Sequence, residues 1–268
     1  MIVGAAILPT APLLVPGVSA TMPEGVVAVC DAIDSAVDHL PGHDVVVLLS
    51  GPEPVVMTVE ASSVEPADKE AGPVVHARFA PNLGAVGRPD VAADGAVDRN
   101  LAAEVVDRLT AGRADGPPSG GRRPSLSLQV LSLLVGDSRP FVPVEVPGDL
   151  PFEDLAAIGR SIGEAASQDP RRILAVAAGD LSAGLTDASP RPSVEGAADF
   201  DARVVDIVDS GRLEGLSRIG PKEAARVAAI GWPSMAALHG LLEVGKIGLV
   251  RRHYSAPRGV GYLIAHGA

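Results

Sequence analysis

Short, uninterrupted apolar runs alternate with amphipathic stretches along most of this chain. Ile2 to Leu8, Asp44 to Leu49 and Ile173 to Ala178 are short, mainly apolar runs, the pattern of strands buried on both faces, and Phe141 to Val146 reads as another strand. Val26, Val27, Cys30, Ile33 and Val37 recur at helical spacing, and Thr21 with Glu24 has the form of a capping box opening that helix. Further helices are expected over Val97 to Ala111, Leu150 to Ser167, Ala198 to Asp209, Lys222 to Ile230 and Pro233 to Val244. Val55 to Glu60 and Val74 to Phe79 read as shorter strands. Ser125 to Val135 alternates well enough to predict another strand, with a turn at Gly136-Asp137-Ser138 before the Phe141 run. Gly248 to Tyr254 and Gly259 to Ala265 read as a closing strand pair.

Strand, helix and strand between Ile2 and Leu49 form a βαβ unit, which predicts a parallel pair with a right-handed crossover. The motif recurs at the Leu150 helix and the Ile173 strand. No repeat of fixed period and no break in composition divides the chain. The expectation is one α/β domain over residues 1–268, with a mostly parallel central sheet flanked by helices.

Composition narrows the function classes. Apolar residues make up 47% and charged residues 21%, which places the chain among folded globular proteins. A net charge of −11 argues against a nucleic-acid partner held by phosphate neutralisation. No apolar run reaches the length of a membrane span, and the first strand lacks the charged flank of a signal peptide, so a soluble cytoplasmic protein is expected. The single cysteine, Cys30, excludes a disulfide framework and reads as a buried thiol on a helix face.

Chemistry concentrates where the Ile173 strand ends. Gly179-Asp180-Leu181-Ser182-Ala183-Gly184 is small and polar, and in open α/β sheets ligands sit at the carboxyl ends of strands. Asp180 and Ser182 are therefore candidate site residues, although both also suit a plain turn. The same rule brings in Thr10, Ser50 and Glu53 after the first two strands, and Thr10, Ser50, Asp180 and Ser182 should converge. No dinucleotide loop, phosphate-binding P-loop, G-x-S-x-G elbow or H-E-x-x-H motif occurs. Of the six histidines, His39 and His43 lie at the far end of the second strand and read as surface residues. His76 falls within a strand, and His266 in the tail. His239 and His253 remain as remote metal-ligand candidates.

Four segments together resemble the catalytic B subunit of class III extradiol ring-cleavage dioxygenases, including Memo-like proteins. They are Pro9-Thr10-Ala11-Pro12-Leu13-Leu14-Val15-Pro16, Leu49-Ser50-Gly51-Pro52, Gly179-Asp180-Leu181-Ser182, and Tyr254 with Pro257-Arg258-Gly259-Val260-Gly261-Tyr262. The resemblance implies an α/β sheet flanked by helices and one Fe(II) held by two His and a carboxylate. A further His acts as acid and base while O2 opens a catechol ring, and a facial triad leaves iron positions open for both substrates. This sequence departs from that pattern at its centre. Thr10 stands where the first ligand His is typical, Ser50-Gly51-Pro52 contains no His, and Ala183 stands where the acid/base His is typical. Glu53, Asp187 and Glu195 are candidates for the carboxylate.

Three readings follow. The first is a dioxygenase-fold protein without the iron site, whose former cleft binds a small molecule or a partner, with no cofactor. The second is an enzyme acting through Asp180, Ser182, Thr10 and Ser50, or through relocated ligands such as His239 and His253. The third is a structural role as a homo-oligomer or as the partner subunit of a complex.

Overall fold

The computed structural model describes every residue except 20, 53–71, 94, 112–122 and 137. Its strands are β1 (Ile2–Leu8), β2 (Val45–Ser50), β3 (Val74–Val75), β4 (Asn82–Leu83), β5 (Arg88–Ala92), β6 (Phe141–Glu145), β7 (Ile173–Ala178), β8 (Val250–Ser255) and β9 (Tyr262–Gly267). The helices are α1 (Val26–Asp38), α2 (Arg99–Thr110), α3 (Leu126–Val135), α4 (Phe152–Gln168), α5 (Ala197–Asp209), α6 (Pro221–Arg226) and α7 (Gly231–Gly245).

Seven strands form one sheet in the order β3-β6-β2-β7-β1-β9-β8, while β4 and β5 make a separate ribbon. The four central strands, β6, β2, β7 and β1, are mutually parallel, and antiparallel strands close both edges. This is the expected α/β architecture, with one correction to the pairing. β1 and β2 run parallel but do not touch, because β7 inserts between them and bonds to both. β7, far from both in sequence, takes the centre, where it can bury both of its faces, and every residue of it is buried.

Alternate side chains of these strands feed two cores. Val45, Val47, Leu49, Ala175 and Ala177 face α2, α4, α5 and α7, and Val46, Leu48, Leu174 and Val176 face α1 and α3. The α4–α7 contact depends on glycine: a Cβ on Gly159 would overlap the Ala237 carbonyl, and one on Gly240 the Ala156 carbonyl. The Asp98 carboxylate caps α2 by accepting from the Leu101 amide (3.0 Å) and pairs with Arg171.

Several local expectations change. Ser125 to Val135 is a helix, not a strand: the Ser125 hydroxyl caps its start, accepting from the Leu128 amide, and Gly136 ends it in the left-handed conformation. Seven of its ten residues are buried, and a helix buried on most sides loses the polar face that would have revealed its period. The Thr21–Glu24 capping box is not formed; α1 starts one turn later, behind Gly25 at φ 81°. The Lys222 helix stops at Arg226, and the Val74 strand is two residues long. His43 is buried, its Nδ1 2.9 Å from the Pro41 carbonyl, whereas His39 is exposed. Cys30 is half-buried, and burial pushes its thiol pKa up. Val55 to Glu60 and Glu53 lie outside the described residues. No helix among the described residues is long and apolar enough to cross a membrane.

Candidate functional site

β1, β2 and β6 end against the first turn of α3, and β7 ends against the start of α7. Two polar clusters result. In the first, Asp180 follows β7 and faces Thr10 after β1. The Thr10 amide donates to Asp180 Oδ2 at 2.8 Å, and the Thr10 hydroxyl donates to the same oxygen. Ser127 of α3 stands behind it, with its Oγ 3.3 Å from Thr10 Oγ1. Both Thr10 and Asp180 are buried. Burial is the dominant influence on Asp180 and pushes its carboxyl up to about 6, against the pull of the two Thr10 hydrogen bonds. Tyr262 is raised too, first by its own burial and then by the Asp180 charge.

The second cluster lies across β2 and β6. Ser50 Oγ is 3.0 Å from Ser125 Oγ, and the Ser125 amide donates to Glu145 Oε1 at 2.6 Å. His76 Nε2 lies 3.2 Å from the same carboxylate oxygen but off the hydrogen-bond axis, so the contact is electrostatic rather than a directed bond. Burial disfavours the Glu145 charge, yet His76 and Ser125 together hold its carboxyl below the usual range.

Of the four residues expected to converge, Thr10 and Asp180 meet, and Ser50 sits on the neighbouring strand in the other cluster. Ser182 turns away: its amide (2.9 Å) and hydroxyl (2.5 Å) both donate to Asp201, which also accepts from the Tyr254 hydroxyl at 2.7 Å. Burial raises the Asp201 carboxyl against these three bonds. The Gly179-Asp180-Leu181-Ser182 turn is locked by backbone bonds from Leu181 to Gly261, Gly261 to Ser182 and Gly231 to Asp180. His239 lies on α7, 3.6 Å from Glu243 and tilted against Phe152; His253 lies on the edge strand β8, 2.8 Å from Ser255. The two share no partner. Sequence reasoning missed Glu145, Ser125, Ser127 and Asp201. The buried β6 run ending in a charged residue was a usable signal for Glu145; the two serines were hidden by the misassigned helix.

The family described as the catalytic LigB subunit of aromatic ring-opening dioxygenase matches residues 131–265, just over half of the chain. The chain belongs to the LigB family. That match contains β6, β7, the Asp180 turn and most of the C-terminal edge, so the Asp180 turn lies within the family region. The uncharacterized protein JW3007 of Escherichia coli K12 shares the fold, with a TM-score of 0.63, 14% identity and 98% coverage of both chains. No curated protein matches this sequence.

The donor set that the described residues of this LigB-family chain offer does not fit the iron centre implied by the resemblance. The Thr10 hydroxyl is committed to Asp180, the Ser50 hydroxyl to Ser125, and neutral hydroxyls are poor Fe(II) ligands. Gly51 leaves no room for an imidazole, since a Cβ there would stand 2.6 Å from the Ile230 carbonyl oxygen and 2.7 Å from Pro233 Cγ. Among the described residues, no three His, Cys, Asp or Glu side chains are grouped to hold a metal ion.

Proposed function

We propose that this LigB-family protein has given up iron-dependent ring cleavage and uses the carboxyl ends of its parallel strands to bind a small molecule. One observation carries the reading: where the resemblance calls for a ligand histidine, the chain has Thr10, and both its amide and its hydroxyl are bound to Asp180. The acid/base position supports it, because Ala183 has no group that moves a proton. The test is metal content after anaerobic Fe(II) loading, together with O2 uptake on a panel of catechols. Iron far below one per chain and no uptake are expected. Iron near one per chain with catechol turnover would overturn the reading.

A second reading is favoured by the ionisation of Asp180, whose raised carboxyl suits a general acid or base near neutral pH. Against it stands burial, which leaves Asp180 6% exposed, with one carboxylate oxygen holding both Thr10 bonds. A turnover lost in Asp180→Asn with the fold intact would establish it.

A further inference from the structure

A cavity of about 880 Å³ opens beside the Glu145 cluster, within the size range of small-molecule sites. Its charge runs against that of the molecule. The chain carries 33 acidic and 22 basic residues, yet this cavity is lined by Arg78, Arg99 and Arg123, with Glu145 the one acidic side chain among the described residues that line it. Glu145 already faces His76 and the Ser125 amide. None of the three arginines makes a hydrogen bond or ion pair with another described residue, while Arg88, Arg108, Arg160, Arg171, Arg172, Arg203 and Arg251 are each paired with a carboxylate.

Their positions sharpen the point. Arg99 is the first residue of α2, and Arg123 lies two residues before the Ser125 cap of α3. Cations are electrostatically disfavoured at helix N-termini, where the macrodipole and free amides favour anions. Two arginines placed against that preference, and a third across the same cavity, form a field that an anion would neutralise.

We propose that this cavity binds a small molecule carrying two or more carboxylate or phosphate groups, gripped by Arg78, Arg99 and Arg123. Guanidinium forks match both groups bidentately, and several charges on one ligand match several forks. The proposal rests on the ligand-binding reading above but not on the loss of iron, and chelator-treated protein lets the two fail separately.

The experiment is calorimetric titration of the full-length, chelator-treated chain with citrate and, separately, with pyrophosphate at low salt. Binding of at least one is expected, weakened about tenfold or more in Arg99→Gln and in Arg123→Gln, and weakened again by raised salt. Arg251→Gln, whose guanidinium pairs with Asp209 away from the cavity, is expected to bind as the unmodified chain does. Binding of citrate alone assigns a carboxylate ligand, of pyrophosphate alone a phosphate ligand. Absence of heat with both anions overturns the proposal, as does unchanged affinity when Arg78, Arg99 and Arg123 are all replaced by Gln. The three side chains are exposed, so circular dichroism of the variants will report an unaltered fold.

Discussion

Asp180 after β7 and Glu145 at the end of β6 are buried to the same degree, 6% exposed each, on the same side of one sheet. Their ionisation is nonetheless shifted in opposite directions. Asp180 meets only neutral donors, the amide and hydroxyl of Thr10, and desolvation prevails, so its carboxyl rises to about 6. Glu145 has a neutral donor too, the Ser125 amide, but also an imidazole at 3.2 Å, and its carboxyl falls below the ordinary range. The same residue exposure therefore does not produce the same chemistry, for Glu145 also borders the open cavity while Asp180 is enclosed. A partner able to carry positive charge decides whether a buried carboxylate stays ionised.

The comparison yields opposite pH signatures. A raised carboxyl pKa means that the folded state holds its proton more tightly, so the Asp180 contribution to stability declines as pH rises from about 4 to about 6. A lowered one means the reverse: the Glu145 contribution is present above the ordinary carboxyl range and is lost as pH falls through the depressed value.

The largest expected effect is that of Glu145→Ala, which strands the buried His76 and the Ser125 amide and costs about 3 kcal/mol in urea denaturation at pH 7. A cost under about 0.5 kcal/mol would mean that the second cluster is held by packing alone. Next, Asp180→Asn keeps an acceptor for Thr10 and removes the ionisation penalty. At about 1.4 kcal/mol per pKa unit, the rise from 3.8 to about 6 makes the gain at pH 7.5 about 3 kcal/mol, and it should vanish as pH falls below about 4. A variant equally destabilised at both pH values would break the contrast between the two carboxylates. Thr10→Val follows, at about 1 kcal/mol at pH 7, with the Asp180 carboxyl moving further up, readable by carboxyl NMR titration. Ser127→Ala is the smallest, about 0.5 kcal/mol, because its 3.3 Å contact with Thr10 is long for hydroxyls.

Much of the scaffold was legible because three of the four buried parallel strands, β1, β2 and β7, are almost wholly apolar runs, a local signal that needs no tertiary information. Ile173 to Ala178 and the polar turn after it showed where a crevice would lie, and Thr10 does meet Asp180 there. The failures have physical causes as well. At the start of α3, Ser125, Ser127 and Gln129 alternate with apolar residues and imitated a two-residue period, although the serine cap and terminal glycine of a helix were both present. Ser182 looked equivalent to Asp180, but two residues along a turn is enough to direct a side chain into a different core, here to Asp201.

The sequence by itself determined the class of fold, the strand ends at which polar groups could gather, and the substitution of Thr, Gly-Pro and Ala where the resemblance expects histidines. Those are properties of residue type and local period. Only the tertiary structure decided that β7 separates β1 from β2, that His76 comes to Glu145, and that three arginines from distant segments surround one cavity. Such pairings join residues tens of positions apart. No local pattern encodes them, because they depend on which strand wins the centre of the sheet and on where the helices that cross it begin.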